Sequence, residues 1–265
     1  MDLGLTGKRA IVTGGSKGIG LAIATALAAE GSDVVIAARG VEALNTAAAD
    51  IAEKSGRKVV GIPVDTGDDA SVQALVDRAV AELGGVDILV NSAATPWSAG
   101  KPTDFAATTD DVVRREVEIK VLGYLRTARA VAPHLIDQGW GRIINISGLG
   151  ARQANSIAQT IRNVSVSALT KNLADELGPH GINVTVVHPG RTRTARLDQQ
   201  LAEKSAETGV PVADLEEELA TNSIRRIVDA SEVADVVAFL ASPRSIGITG
   251  DAIAVGGGVV GPVYY

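Results

Sequence analysis

Short apolar, β-branched runs alternate with longer Ala-rich stretches along nearly the whole chain, and few folds accept that rhythm. The runs RAIVT (9–13), DVVIAA (33–38), KVVGI (58–62), VDILV (86–90), RIINI (142–146), INVTVV (182–187) and AIAV (252–255) have strand length and strand composition. Between them, residues 18–30, 41–55, 69–83, 108–138, 156–178 and 230–241 repeat their apolar positions at helical spacing. Strands that are apolar almost throughout need cover on both faces, which this alternation supplies by laying helices over a parallel sheet. The expected class is α/β: one domain on a doubly wound parallel sheet of about seven strands, with helices on both faces. Ligands of such a sheet bind beyond the carboxyl ends of its strands. Residues 191–228 break the rhythm with RTRTARLDQQ, a charged helical run and TNSIRR, so an insertion covering that crevice as a lid is expected there.

Composition narrows the partners. Hydrophobic residues make up 46% of the 265 but aromatics only 3%, which suits small-residue packing and leaves few stacking platforms for nucleic acid. A net charge of −6 also argues against a polyanion. With no cysteine there is no disulfide scaffold, thiolate metal site or cysteine nucleophile. His134, His180 and His188 are scattered without ligand spacing, so no metal is expected. No run approaches the roughly 18 apolar residues of a membrane span. The opening MDLGLTGKRAIVTGG lacks a signal-peptide core. These features lead to the expectation of a soluble, cytoplasmic protein with a small-molecule substrate.

TGGSKGIG (13–20) joins the first strand to the first helix. Gly14, Gly18 and Gly20 have a spacing that permits a tight turn and close backbone approach to phosphate. The helix start adds free N–H groups and a positive dipole end. Gly14, Ser16, Lys17, Gly18, Ile19 and Gly20 are thus the expected pyrophosphate site of a dinucleotide. A carboxylate at the end of the second strand would hold a ribose 2′-hydroxyl. That end, IAARG, offers Arg39, which with Lys17 suits a 2′-phosphate and favours NADP(H) over NAD(H). A solvated loop charge is the plain alternative for Arg39.

With that loop in place, the chain resembles the short-chain dehydrogenase/reductase family, a Rossmann-type fold, nearly end to end. VDTGD (64–68), NSAA (91–94), GRIINIS (141–147), HGINVTVVHPGRTRT (180–194) and SEVADVVAFLASPRSIGITGDAIAVGGG (231–258) carry the likeness. The resemblance implies that Asp65 and Thr66 lie near the adenine and that Asn91 and Ala93 border the adenosine ribose. It implies nicotinamide contacts from Pro189, Gly190, Thr192 and Thr194. Gly256 departs from the family's usual acid, so the tail contact made there is an open position.

That family normally works with a Tyr as proton carrier, a Lys four residues later, a Ser that orients the substrate oxygen, and an Asn on the preceding long helix. Alignment on SALTKNLADEL places Gln159 at the Tyr position, Asn163 at the Lys position and Lys120 at the helix Asn. The Ser position falls on Gly148, one residue after Ser147. The only tyrosines are Tyr124, Tyr264 and Tyr265, and none begins a Tyr-x-x-x-Lys. Gln159 can hydrogen-bond a carbonyl but cannot release a proton near neutral pH. Lys120, if desolvated, can act as acid, base or oxyanion partner; its alternative is a stem along the helix with a solvated head. Catalytic candidates are therefore Lys120, Ser147, Gln159 and Asn163.

Arg162, Arg191 and Arg193 are candidates for a substrate carboxylate or phosphate, with surface or interface pairing as the plainer reading. His188 reads as a structural residue at a strand end. The apolar tail ending in Tyr264 and Tyr265 and the long helices 108–138 and 156–178 agree with the homodimer or homotetramer that the resemblance implies. Three functions remain open at this point. The first is NADP(H)-dependent redox chemistry on a small carbonyl or alcohol by an altered proton route. The second is non-redox hydration, elimination or C–C cleavage on the same scaffold. The third is a dinucleotide-binding regulatory protein without turnover.

Overall fold

The computed structural model describes residues 1–95, 104–154 and 156–260. In chain order the first elements are β1 (Arg9–Thr13), α1 (Gly18–Ala29), β2 (Asp33–Ala38), α2 (Val41–Ser55), β3 (Val59–Pro63), α3 (Asp69–Leu83), β4 (Ile88–Asn91) and α4 (Asp110–Glu116). A π-helical segment, Val117–Leu122, carries α4 into α5 (Gly123–Gln138). Then follow β5 (Gly141–Ile146), α6 (Ile157–Leu177), β6 (Ile182–Pro189), β7 (Thr192–Arg193), α7 (Ala195–Thr208), α8 (Val212–Leu219), β8 (Val228–Asp229), α9 (Ala230–Ala241) and β9 (Ala252–Val255).

Seven strands pair in parallel in the order β3-β2-β1-β4-β5-β6-β9. Alternate residues of each strand feed two cores. Val12, Val34 and Ile36 face the layer of α1, α2 and α9, where Ile23, Leu44 and Val237 meet them. Ile11, Val35 and Ala37 face α3, α5 and α6, with Leu75, Val131 and Leu135. Burial on both sides explains why the strands read as continuous apolar runs. The strand order reverses between β1 and β4, so the crevice opens beyond Thr13 and Asn91.

Residues 192–229 carry their own small core. Leu197 and Leu201 of α7 pack with Leu215 of α8 and Ile227. The two-residue ribbon β7–β8 closes this unit. Arg193 knits it together, bonding both oxygens of Glu216 at 2.9 and 2.8 Å and pairing with Asp198 and Asp229. At its end, Asn222 Nδ2 donates to Arg226 O at 2.7 Å and to Gly256 O at 3.0 Å. The backbone N–H of Ser223 donates to Gly258 O, so the stretch after β9 is pinned here. Among the described residues, no helix is long and apolar enough to cross a membrane. Tyr264 and Tyr265 lie outside the described residues.

Candidate active site

The glycine loop turns where only glycine fits. Gly14 has a φ of 69°, and a Cβ there would lie 2.8 Å from Ser92 O on the segment after β4. A Cβ on Gly20 would lie 2.3 Å from Gly14 O, so the start of α1 is pressed against the turn. Thr13 Oγ1 accepts the backbone N–H groups of Ser92 and Ala93 at 3.1 and 3.2 Å, locking β1 to the 92–93 segment. Among the described residues no side chain caps α1 and no carboxylate occupies its first turn, so its leading N–H groups are left without a side-chain acceptor. That set of donors fits a pyrophosphate. Lys17 and Arg39 are exposed beside it. A cavity of about 540 Å³ opens between the loop and α2, lined among others by Ser16, Glu42, Thr46 and Asp50.

The second half of the site lies where α4, the π segment and α6 pack together. Lys120 is only 3% exposed. Its Nζ donates to Ser147 O at 2.8 Å and to Asn163 Oδ1 at 3.1 Å. A π segment adds a residue to the turn and re-aims side chains, and such segments recur at functional sites. Three of the four catalytic candidates thus meet in one cluster. Ser147 Oγ donates to Asn163 O at 3.0 Å, so its hydroxyl hydrogen is committed to the helix backbone. The Asn163 carboxamide is flanked by Gly150, where a Cβ would approach Nδ2 to 3.0 Å and Gln159 Cγ to 3.4 Å. Gln159 is half-buried beside that glycine, and its side chain makes no hydrogen bond among the described residues.

One turn before Lys120, Glu116 forms a buried ion pair with Arg162, the two side chains being 3% and 7% exposed. The same guanidinium donates to Thr95 O at 3.2 Å. This corrects the surface or interface placement expected for Arg162: packing of α4 on α6 buries it within the chain. Glu116 is a site residue the sequence reading missed. Its signal was the i, i+4 spacing to Lys120 on the same helix. Burial, and after it the Arg162 charge, push the Lys120 ammonium well below its ordinary range, while Glu116 opposes the shift.

His188 is buried at the end of β6 and is structural in its contacts. Its Nδ1 accepts the Gly148 N–H at 3.4 Å, and its Nε2 lies 3.4 Å from Ser167 Oγ. Burial, then the charges of Arg152 and Lys120, bring it down to about 4, so the ring is neutral near pH 7. Tyr124 donates its phenol to Ile146 O at 2.9 Å, and burial raises it far above its ordinary range. It is a packing residue, held in its neutral form.

The remaining candidates divide between crevice and core. The Asn91 side chain, expected beside a ribose, is fully buried: it donates to Asn145 Oδ1 at 3.0 Å and accepts from Thr127 Oγ1 at 2.6 Å. Asn145 continues to Thr170, so a polar ladder crosses the core from α5 to α6. Both ends of the Asn91 carboxamide are engaged there, leaving Ala93 as the member of the pair next to Gly14. Asp65 Oδ1 accepts the Gly67 N–H at 2.9 Å and shapes its own loop, and Thr66 is buried under Gly123. Thr192 donates to Gly190 O, and Thr194 caps α7 while its methyl faces Gly18. Arg191 is exposed, whereas Arg193 is taken up by its three carboxylates. Pro189 leads to Gly190, whose neighbour is Gly256. A Cβ on Gly256 would stand 2.5 Å from Leu149 Cδ1 and 3.0 Å from Gly190 Cα, so an acid has no room there. Among the described residues, no group of three or more His, Asp or Glu side chains could hold a metal ion.

Known proteins share this fold. Residues 14–260 match a family model described as enoyl-(acyl carrier protein) reductase. The short-chain reductase protein NovJ of Streptomyces niveus is 35% identical over 252 residues, covering 94% of this chain and 92% of that protein. The structure of L-sorbose reductase from Gluconobacter frateurii, complexed with NADPH and L-sorbose, superposes with a TM-score of 0.93 at 30% identity, over 99% of this chain and all 100% of that one. An NAD⁺-bound xylitol dehydrogenase superposes with a TM-score of 0.85 at 28% identity, over 96% and 99% of the two chains. The match runs from the glycine loop through the last strand, and the chain belongs to the short-chain dehydrogenase/reductase family of oxidoreductases.

Proposed function

We propose that the chain binds NADP(H) and performs redox chemistry on a small carbonyl or alcohol, with Lys120 in place of the phenol as proton carrier. The observation that carries this reading is the Lys120 ammonium buried against Ser147 O and against Asn163, the residue aligned with the family's lysine. The glycine loop, the α1 N-terminus, Ala93, Pro189 and Gly190 would hold the dinucleotide, and Thr192 and Thr194 would close on it. When bound, the nicotinamide would supply the hydride in reduction and accept it in oxidation. Gln159 orients the substrate oxygen through its carboxamide, and Lys120 Nζ gives that oxygen a proton in reduction or takes one in oxidation. Asn163 and Ser147 hold the amine in place. Residues 191–228 act as the lid, excluding water while the proton moves.

Preference for the 2′-phosphate is supported by exposed Arg39 and Lys17 and by the NADPH held in L-sorbose reductase; the NAD⁺ of xylitol dehydrogenase shows that the fold serves both. Self-association belongs to the same proposal, because Ile157, Ile161 and Val164 lie 40–46% exposed along one face of α6.

Titration with NADPH and NADH, followed by a panel of carbonyls and alcohols read at the nicotinamide absorbance, tests the proposal. NADPH is expected to bind more tightly, and Arg39→Glu to reduce its advantage by about 10–100-fold, the worth of a charge-assisted pair. Lys120→Met is expected to cut turnover by about 10²–10⁴-fold with nucleotide binding kept. Turnover at the wild-type level in that variant removes Lys120 from the chemistry.

A further inference from the structure

The α4–α6 seam carries two polar rungs. Glu116 with Arg162 forms the first; Lys120 with Asn163 forms the second, four residues on along one helix and one residue on along the other. All four side chains are buried. In such a place charges act on one another with little screening. We propose that the Glu116–Arg162 pair is a positioning device that sets the pH at which Lys120 exchanges its proton. This rests on the reading of Lys120 as proton carrier.

The groups around Lys120 leave little else to do this work. On its own helix stand Glu116 and Tyr124, on α6 Arg162, and on β6 His188, with Arg152 beyond it on the β5–α6 loop. The Tyr124 phenol is held neutral by burial and by its bond to Ile146 O. The His188 ring is neutral above about pH 4. Among the described residues, the near fixed charges are therefore Arg162, which disfavours the ammonium, and Glu116, which favours it. The carboxylate has two tasks. It pairs with the buried guanidinium, and it opposes the lowering that this guanidinium exerts on Lys120.

The sign of each substitution follows. Arg162→Met removes the repulsion, so Lys120 titrates at higher pH. Glu116→Gln removes the attraction, so it titrates at lower pH. The double variant lies between the two. The readout is the ¹³Cε resonance of Lys120, assigned by its loss in Lys120→Met and followed through a pH titration. The matching limb of the kcat/KM profile should move with it. A purely structural pair would lower activity evenly across pH and leave the midpoint in place. If Glu116→Gln does not fold, the double variant compared with Arg162→Met isolates the carboxylate, and its midpoint must lie below that of Arg162→Met. Equal midpoints, or singles that shift in the same direction, overturn the inference. Lys120→Met turnover is assayed separately. If turnover survives while the midpoints move as expected, Lys120 loses its catalytic role and the electrostatic control stands. If turnover is lost and the midpoints stay fixed, the control alone falls.

Discussion

The two halves of the candidate site are made of different materials. The glycine loop is backbone: its shape comes from residues that lack a side chain, and its donors are main-chain N–H groups at the start of α1. The α4–α6 seam is side chain, with Glu116, Lys120, Arg162 and Asn163 all buried where two distant segments pack. A backbone site is constrained by contacts between near neighbours and by strand ends. A side-chain site depends on helix rotation, on the π segment and on the partner each charge finds. The first half leaves almost no room for added bulk; in the second, the costly change is loss of one charge from a pair.

The largest effect should come from the seam. Arg162→Met takes the guanidinium from the buried Glu116 carboxylate, and about 3–5 kcal/mol of stability is expected to go. Replacing both partners by apolar residues, Glu116→Leu with Arg162→Met, should restore most of it; chemical denaturation of the three variants measures the difference. Additive losses in the double variant would mean the seam needs those atoms for packing and would weaken the contrast with the loop. Next comes Gly14→Ala, which adds a close contact at Ser92 O to a left-handed backbone. A cost of about 2–4 kcal/mol combines overpacking with conformational strain. Thermal melts with and without nucleotide would separate lost stability from lost binding.

A smaller effect is a slope with pH. His188 titrates near 4 in the folded chain and near its ordinary value when unfolded. Between those values the unfolded chain takes up a proton that the folded chain refuses, so stability should fall as pH drops from about 6.5 to about 4. About 1–2 kcal/mol is expected after allowance for partial hydration, and His188→Gln should flatten that part of the curve. The smallest concerns the stretch after β9: Asn222→Ala removes the bonds to Arg226 O and Gly256 O. A loss of about 1 kcal/mol and faster proteolytic nicking near residue 222 are expected. Unchanged cleavage would show that Ser223 and Val259 suffice to hold the stretch.

Much of this molecule is legible in its residues alone. Each of the seven strand runs and six helical runs appears within a few residues of its expected place, with β1 and β2 over the same residues as read. Period and composition report burial on two faces, and two-faced burial in a strand–helix alternation leaves essentially one architecture. Gly14 and Gly20 are legible for the same reason, since the steric demand of a tight turn is local. The sequence also states that no Tyr-x-x-x-Lys is present. What it does not carry is the company each side chain keeps. Asn91 matches a family motif, yet its amide is spent on a core ladder through Asn145 to Thr170. Arg162 looks like a surface cation and is buried against Glu116. Lys120, 43 residues from Asn163 in sequence, reaches it across a helix seam. Such pairings are long-range and depend on helix packing to within an ångström or so, and only the tertiary structure decides them.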